Sequence, residues 1–287
     1  MAETPADRLR SLLAAPGILT VPGVFDAMSA RRVEAAGFPA AFMSGYTVSA
    51  SRLGLPDTGL ISYGEIVDQG RNICGAVSIP VIGDADTGYG NALNVRRTVA
   101  GYARAGFACA MIEDQVAPKR CGHTQGKLVV ERAEALQRIR AAVDVRKDGL
   151  DVLILARTDA RATHGLDEAI WRGNAFRDAG ADIVFVEAPT SRAEMERVCR
   201  EIPGPQLANM VEAGKTPVLP PDELAAIGYK IALFPATLLS AAIRAMDEAL
   251  AALKAGRTPE RLLPDFATLC DIVGFNDYYR QEKRYAE

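Results

Sequence analysis

No stretch of this 287-residue sequence reaches the ~18 consecutive apolar residues that a membrane-spanning helix requires. Met1 to Leu13 also lacks the apolar core and small-residue cleavage site of a secretory signal. Cysteine is scarce: the five, at positions 74, 109, 121, 199 and 270, are scattered and form no Cys-x-x-Cys pair. That excludes a disulfide framework and points to a reducing compartment, so the cytoplasm is the expected location. Only two histidines occur, His123 and His164, and no paired ligands at zinc-like spacing accompany them. No excess of one charge stands out either. The net charge of −3 gives no basic field to draw nucleic acid or an anionic membrane, and Arg31-Arg32 and Arg96-Arg97 read as solvated helix faces. Linkers and low-complexity segments are missing, which leaves one globular domain with a large core.

What is present is a repeat of short apolar runs, each followed by a helical pattern. Strands are expected at Leu19–Val24, Ala40–Ser44, Val81–Asp84, Cys109–Glu113, Val152–Arg157, Ile183–Glu187, Gln206–Met210 and Ile231–Phe234. Helices are expected near 26–36, 62–76, 93–105, 131–146, 167–179, 191–200 and 221–227, with Ala-Gly steps at 36–37, 105–106 and 179–180 as their ends. Strands that read as continuous apolar runs belong to a parallel sheet covered on both faces. Eight such units match the size of a (β/α)8 TIM-type barrel. The rival is an open, doubly wound sheet, but Val21-Pro22-Gly23-Val24 is not the glycine-rich phosphate turn such a sheet usually carries after its first strand. Beyond the eighth strand, Thr237–Ala255 reads as a long amphipathic helix and Phe266–Val273 as a short one. The tail from Asp277 carries Tyr278, Tyr279 and Tyr285 among charges, as if packed on another subunit. Residues 1–287 are thus read as a single barrel domain, with 237–287 a C-terminal helical extension at a subunit interface.

The polar residues follow this pattern. Ser44, Asp84, Asp86, Glu113, Arg157, Asp159, Glu187 and Asn209 all fall at, or one step beyond, a strand's carboxyl end, where a barrel builds its active site. Asp84 and Asp86 are two residues apart, so in extended backbone both project to one side. Like charges held that close need a cation or a proton between them. With Glu113 they offer only oxygen ligands, which suits Mg²⁺ or Mn²⁺. Arg157 either pairs with Asp159 on the surface or clamps a substrate carboxylate with its guanidinium fork. Cys74 and Cys109 lie in apolar surroundings and read as core fillers, whereas Cys121 stands in Lys119-Arg120-Cys121-Gly122-His123, among cations that favour thiolate. A metal, an arginine and a movable thiol together suggest a small, multiply charged acid as substrate.

These motifs resemble the isocitrate lyase/phosphoenolpyruvate mutase superfamily over nearly the whole length. The resemblance is carried by Ser44-Gly45-Tyr46, Leu53 to Asp57, Asp84 to Gly90, Ile112-Glu113-Asp114, Lys119 to His123, Ala156 to Asp159 and Phe185 to Ala188. The Lys-Arg-Cys-Gly-His stretch marks its carbon–carbon lyase branch. Membership implies a (β/α)8 barrel with its last helix exchanged between neighbours, in a homotetramer. It implies Mg²⁺ near Asp57, Asp84, Asp86 and Glu113, and an α-oxyacid carboxylate held by backbone around Ser44, Gly45 and Tyr46 with Arg157. Glu187 and Asn209 line the same site, Asp57 and Gly122 contribute to it, and the Cys121 loop closes over substrate.

The implied reaction cleaves the C2–C3 bond of a 2-hydroxy dicarboxylate, releasing pyruvate or a related oxoacid. Cys121 protonates the departing carbanion, while Lys119, Arg120 and His123 stabilise its aci-carboxylate form. The acceptor of the hydroxyl proton stays open between Tyr46 and a metal-bound water. Tyr46 after Ser44-Gly45, and the lack of an arginine in Phe234 to Ser240 although Arg244 follows one turn later, look like the 2-alkylmalate group with substrates such as 2,3-dimethylmalate. The alternatives are a methylisocitrate lyase, an oxaloacetate hydrolase, a phosphonate enzyme, or a barrel that binds metabolites without turning them over.

Overall fold

A computed structural model describes residues 3–121 and 126–286. Gly122 and His123, two of the expected site residues, lie outside the described residues. The chain divides into two compact units, Met1–Leu239 and Ser240–Glu287.

In the first unit eight strands run parallel: β1 (Leu19–Val24), β2 (Ala41–Met43), β3 (Val81–Asp84), β4 (Cys109–Glu113), β5 (Leu153–Thr158), β6 (Ile183–Val186), β7 (Leu207–Asn209) and β8 (Ile231–Phe234). They pair in the order β6-β5-β4-β3-β2-β1-β8-β7, and a single parallel bridge from Val184 to Gln206 joins the two ends into a nearly closed barrel. Helices α1 (Pro5–Ala14), α2 (Ala27–Ala35), α3 (Gly45–Val48), α4 (Tyr63–Ala76), α5 (Ala92–Ala105), α6 (Arg132–Lys147), α7 (Ala160–His164), α8 (Leu166–Asp178), α9 (Arg192–Glu201) and α10 (Pro221–Ile227) fill the intervals. The TIM-type reading is borne out. Among the described residues no helix is long and apolar enough to cross a membrane.

A period of two along each strand decides which side chains face the barrel axis. Leu19, Val21, Phe42, Ile82, Cys109, Met111, Leu153, Leu155, Ile183, Phe185, Leu207, Ile231 and Leu233 form one buried cluster, the interior. Their neighbours, such as Ala41, Met43, Ala110, Ile112, Ile154 and Ala156, pack instead against the helices. Extending the inward parity to the carboxyl ends reaches Ser44, Asp84, Glu113, Arg157, Glu187 and Asn209. The alternation that builds the core therefore carries straight into the polar top layer.

Several boundaries differ from the sequence expectation. Ser44 does not end β2; it is the residue capping α3, a turn that continues as a π-helical segment, Ser49–Leu53. The helix expected at 167–179 is preceded by a separate short one, α7. Helix α1 went unforeseen although its start is written locally: Thr4 accepts from the Asp7 amide, Asp7 answers to the Thr4 amide, and Pro5 opens the first turn. Its Ala6 and Leu9 join the interior cluster. Arg8 donates to the Ser78 carbonyl and Arg10 pairs with Asp151, both just ahead of strands, so α1 closes the amino-terminal mouth.

The second unit holds the end of α11 (Thr237–Lys254), then α12 (Phe266–Val273) and α13 (Phe275–Arg284). Asp265 caps α12 by accepting from the Thr268 amide, and Gly274, at φ +105°, ends it. The tail is helical rather than irregular, with the Phe275 and Tyr279 rings 6.0 Å apart. On α11, Ile243, Met246, Leu250 and Leu253 are exposed at helical spacing.

Tight packing where β1 meets the end of β8 gives one test. A Cβ added at Gly23 would lie 2.1 Å from the Pro235 carbonyl oxygen, and backbone cannot rotate away. Gly23→Ala should cost about 1–3 kcal/mol. The expected reading is a lower urea midpoint at unchanged m value.

Candidate active site

The residues at the carboxyl end of the barrel form a buried acid cluster. Asp57, Asp84, Asp86, Glu113, Asp114, Asp159 and Glu187 are all buried. Asp84 leaves β3 pointing inward; its Oδ2 accepts from the Gly45 amide at 3.1 Å and its Oδ1 from the Asp86 amide at 3.1 Å. A Cβ at 45 would stand 2.8 Å from Asp84 Oδ2, so any larger residue there would displace that carboxylate. That amide, expected to help hold a substrate carboxylate, is thus engaged with Asp84. Asp86 follows at φ +50°, a left-handed conformation that aspartate tolerates better than most residues.

Lys119 occupies the middle of this cluster. Its ammonium donates to Asp57 Oδ2 at 2.6 Å and stands 2.9 Å from Asp86 Oδ1, with only 4% of the residue exposed. Burial would lower the pKa of an isolated lysine, but Asp86, Asp57, Asp84 and Glu113 outweigh it and raise the Lys119 ammonium well above its ordinary value. Burial pushes the Asp86 carboxyl up to about 7; Lys119 opposes the shift and Asp84 and Asp57 add to it. Burial likewise holds the Glu113 carboxyl well above the usual carboxylate range, against the pull of Arg157 and Lys119.

A second ion cluster lies on the neighbouring strand. Register puts Arg157 of β5 beside Glu113 of β4. The Arg157 guanidinium grips Asp159 with two hydrogen bonds, at 2.9 and 3.0 Å, and stands 3.4 Å from Glu113 and 3.7 Å from Glu187. This corrects the surface ion pair weighed from sequence: Arg157 is buried, and its fork already has a carboxylate. Lys127 adds a third donor to Asp159 at 2.8 Å. Glu187 accepts from Asn209 at 3.3 Å.

Between β4 and α6 the chain makes a hairpin-like excursion that covers the cluster. Val116 donates to the Leu128 carbonyl at 2.8 Å and Val130 to the Asp114 carbonyl at 2.9 Å, with Gln115 bridged to Val129. The outgoing arm carries Lys119 into one acid cluster and the returning arm carries Lys127 into the other. Cys121 follows Arg120 on this excursion and is half-buried, outside the hydrophobic interior. Arg120 itself is exposed, its guanidinium lying over Gly126. Tyr46 is 45% exposed on α3, and Ser44 is buried.

Four residues that matter here were not singled out from sequence: Gln115, Lys127, Arg138 and Arg172. Arg138 of α6 donates to the carbonyls of Glu113 and Gln115, at 3.2 and 2.7 Å. Arg172 of α8 donates to Asp114 at 3.1 Å, and Asp114 also accepts from the Thr158 hydroxyl at 2.7 Å and the Asp159 amide at 2.9 Å. The available signal was a lone arginine on the apolar face of each helix, between Ala135 and Ile139 and between Ala169 and Phe176, where a cation needs a buried partner.

The donor set can be tested for a divalent cation. Asp57 Oδ1, Asp86 Oδ1 and both Glu113 carboxylate oxygens are buried and accept no hydrogen bond, although Asp86 Oδ1 is within ion-pairing distance of Lys119. Buried oxygens left without donors are costly. All-oxygen ligands suit Mg²⁺ or Mn²⁺, and the residues fit such an ion in donor type. No group of three His, Cys, Asp or Glu among the described residues is already disposed around one point; the charge between Asp57 and Asp86 is the Lys119 ammonium.

Burial alone would raise the Asp159 carboxyl, but Arg157 and Lys127 outweigh it and hold it at about 2, below its ordinary 3.8. A carboxyl depressed on folding stabilises above its unfolded pKa and loses that contribution as pH falls toward the folded value. Asp159→Asn should therefore be markedly less stable than the parent at pH 7, with the gap narrowing between pH 4 and pH 2. Urea unfolding of both proteins across that range is the check.

Residues 9–254 match the family described as phosphoenolpyruvate phosphomutase. The chain is 46% identical over 284 residues to 2,3-dimethylmalate lyase of Eubacterium barkeri, covering 98% of each chain. It is 42% identical over 288 residues to 2-methylisocitrate lyase of Aeropyrum pernix, covering 99% of this chain and 91% of the relative. Among solved structures, oxaloacetate acetylhydrolase with the inhibitor 3,3-difluorooxalacetate superposes with a TM-score of 0.94 at 37% identity, over 99% of this chain and 97% of that one. Phosphonopyruvate hydrolase in complex with oxalate and Mg²⁺ superposes at 0.87 and 28% identity, over 99% and 100%.

Proposed function

Because the chain belongs to the phosphoenolpyruvate phosphomutase family, we propose that it is a carbon–carbon lyase acting on a 2-hydroxy dicarboxylate of the 2-alkylmalate class, such as 2,3-dimethylmalate. The observation that carries this reading is the Lys119–Cys121 arm docked on a buried acid cluster, in a chain 46% identical to a 2,3-dimethylmalate lyase. Asp84, Asp86 and Glu113, with Asp57, would hold Mg²⁺, or Mn²⁺ in its place. When bound, such an ion polarises and orients the oxygens of a hydroxy- or oxoacid.

The chain's own residues account for the remaining steps. Arg157, fixed by Asp159 and faced by Glu113 and Glu187, supplies positive charge to the carboxylate next to the reacting carbon. Loss of the substrate hydroxyl proton turns C2 into a carbonyl as the C2–C3 bond breaks. The electron pair of that bond stays on C3, next to the second carboxylate. Cys121 Sγ–H then donates its proton there, leaving a thiolate. Lys119 neutralises Asp57 and Asp86 and keeps the arm seated over them. Arg120 and His123 are left to meet the carboxylate that gains charge. The hydroxyl proton goes either to a water that the cation would hold or to Tyr46, whose exposure lets it pass its own phenolic proton to solvent. The exposed apolar face of α11 supports assembly with further copies of the chain, into the tetramer that the resemblance implies. The lack of a membrane-spanning helix among the described residues is compatible with a cytoplasmic enzyme.

A substrate panel tests the assignment. With Mg²⁺ present, 2,3-dimethylmalate should yield pyruvate, while 2-methylisocitrate, oxaloacetate and phosphonopyruvate should react far more slowly. Oxalate released from oxaloacetate as the fastest reaction would reassign the protein as a hydrolase, and inertness toward all four would leave a metabolite-binding barrel. Cys121→Ser should lower lyase turnover by about 10²- to 10⁴-fold, the usual contribution of one general acid, while Mn²⁺ binding followed by paramagnetic resonance stays unchanged. Excess EDTA should abolish turnover, with recovery on adding Mg²⁺; full activity in chelator would refute the carboxylate assignment.

A further inference from the structure

The side chain of Gln115 spans the outgoing arm of the hairpin. Its Nε2 donates to the Arg120 carbonyl at 2.8 Å, and its Oε1 accepts from the Arg120 amide at 2.9 Å. The side chain thus makes a two-point amide pair with the backbone of the residue immediately before Cys121, and Gln115 is 1% exposed. A primary amide offers a donor and an acceptor side by side to a single residue's N–H and C=O at any pH.

The other end of this clamp is anchored to the barrel. Gln115 stands two residues beyond the end of β4 and is bridged to Val129. Its carbonyl accepts from Arg138 at 2.7 Å. Asp114, just before it, is tied to Thr158, to the Asp159 amide and to Arg172. Rigidity of β4, β5, α6 and α8 therefore reaches the Gln115 backbone first. The side chain then passes it across Val116, Ala117, Pro118 and Lys119 to the Arg120 peptide. Lys119 pins the arm to the acid cluster, but a flexible lysine stem fixes a charge, not the direction of the following backbone.

We propose that Gln115 is a positioning residue for Cys121, setting through the Arg120 backbone where the thiol stands. The catalytic part of this statement rests on Cys121 being the proton donor of the proposed reaction; the positional part does not. The clamp also ties only the arm's local backbone, so its loss should leave the barrel folded.

The test uses Gln115→Met, which keeps length and removes both hydrogen bonds, and Gln115→Glu, which keeps the acceptor for the Arg120 amide and, when ionised, loses the donor. Alkylation by iodoacetamide is followed peptide by peptide by mass spectrometry, with the Cys199 peptide reporting any general opening. Expected for Gln115→Met is a rise in Cys121 labelling on the order of tenfold, the scale of losing one to two net hydrogen bonds, with Cys199 unchanged. Gln115→Glu should lie between it and the parent. On the diacid that the panel identifies, kcat should fall in the same order while KM moves by less than about twofold. Cys121 labelling within twofold of the parent in both variants would overturn the proposal, as would a matching rise at Cys199. If the panel is inert but Cys121 labelling shifts as expected, the lyase reading fails and the positioning role stands.

Discussion

Carboxylates packed out of water at one end of a barrel impose the constraint on which the rest of the molecule depends. Each ionised acid removed from solvent costs several kcal/mol unless a cation, a proton or hydrogen-bond donors replace the lost hydration. The protein uses all three. Lys119 enters between Asp57 and Asp86, Arg157 and Lys127 share Asp159, and Asp114 is satisfied by a hydroxyl, an amide and a guanidinium. Burial keeps Asp86 and Glu113 shifted toward their neutral forms. Among the buried oxygens that accept no hydrogen bond are Asp57 Oδ1 and both oxygens of Glu113, two of the four acids assigned to the divalent ion.

The same ion pairs make the position of the hairpin a function of charge. Two lysines, one on each arm, end in the two acid clusters, so the segment bearing Cys121 is seated by the groups that a charged ligand would meet. Moving the arm away would strip Asp57 and Asp86 of their cation. Loop geometry and cluster electrostatics are thereby linked. Asp114, Gln115 and Arg138 anchor the hairpin stem to the barrel.

Relatives of this chain carry the names of enzymes for different acids: 2,3-dimethylmalate, 2-methylisocitrate and oxaloacetate. In this chain Tyr46 follows Ser44-Gly45, and no arginine occurs from Phe234 to Ser240, Arg244 being the first beyond it.

The sequence by itself determined the barrel and the composition of its mouth. Period-two alternation from Leu19 to Leu233 separates interior from helix-facing residues, and its extension by one step names Asp84, Glu113, Arg157 and Glu187, because strand geometry is local and needs no knowledge of partners. Local signals also held α1, whose capping box at Thr4 and Asp7 was legible but lay outside the repeat that organised the reading. Tertiary structure alone decided that the fork of Arg157 closes on Asp159, that the Gly45 amide serves Asp84, and that Lys119 lies buried between Asp57 and Asp86, 62 residues from the first of them. It also decided the Gln115 clamp. Those outcomes depend on which groups lose water together, and that is set by distances between segments far apart in the chain.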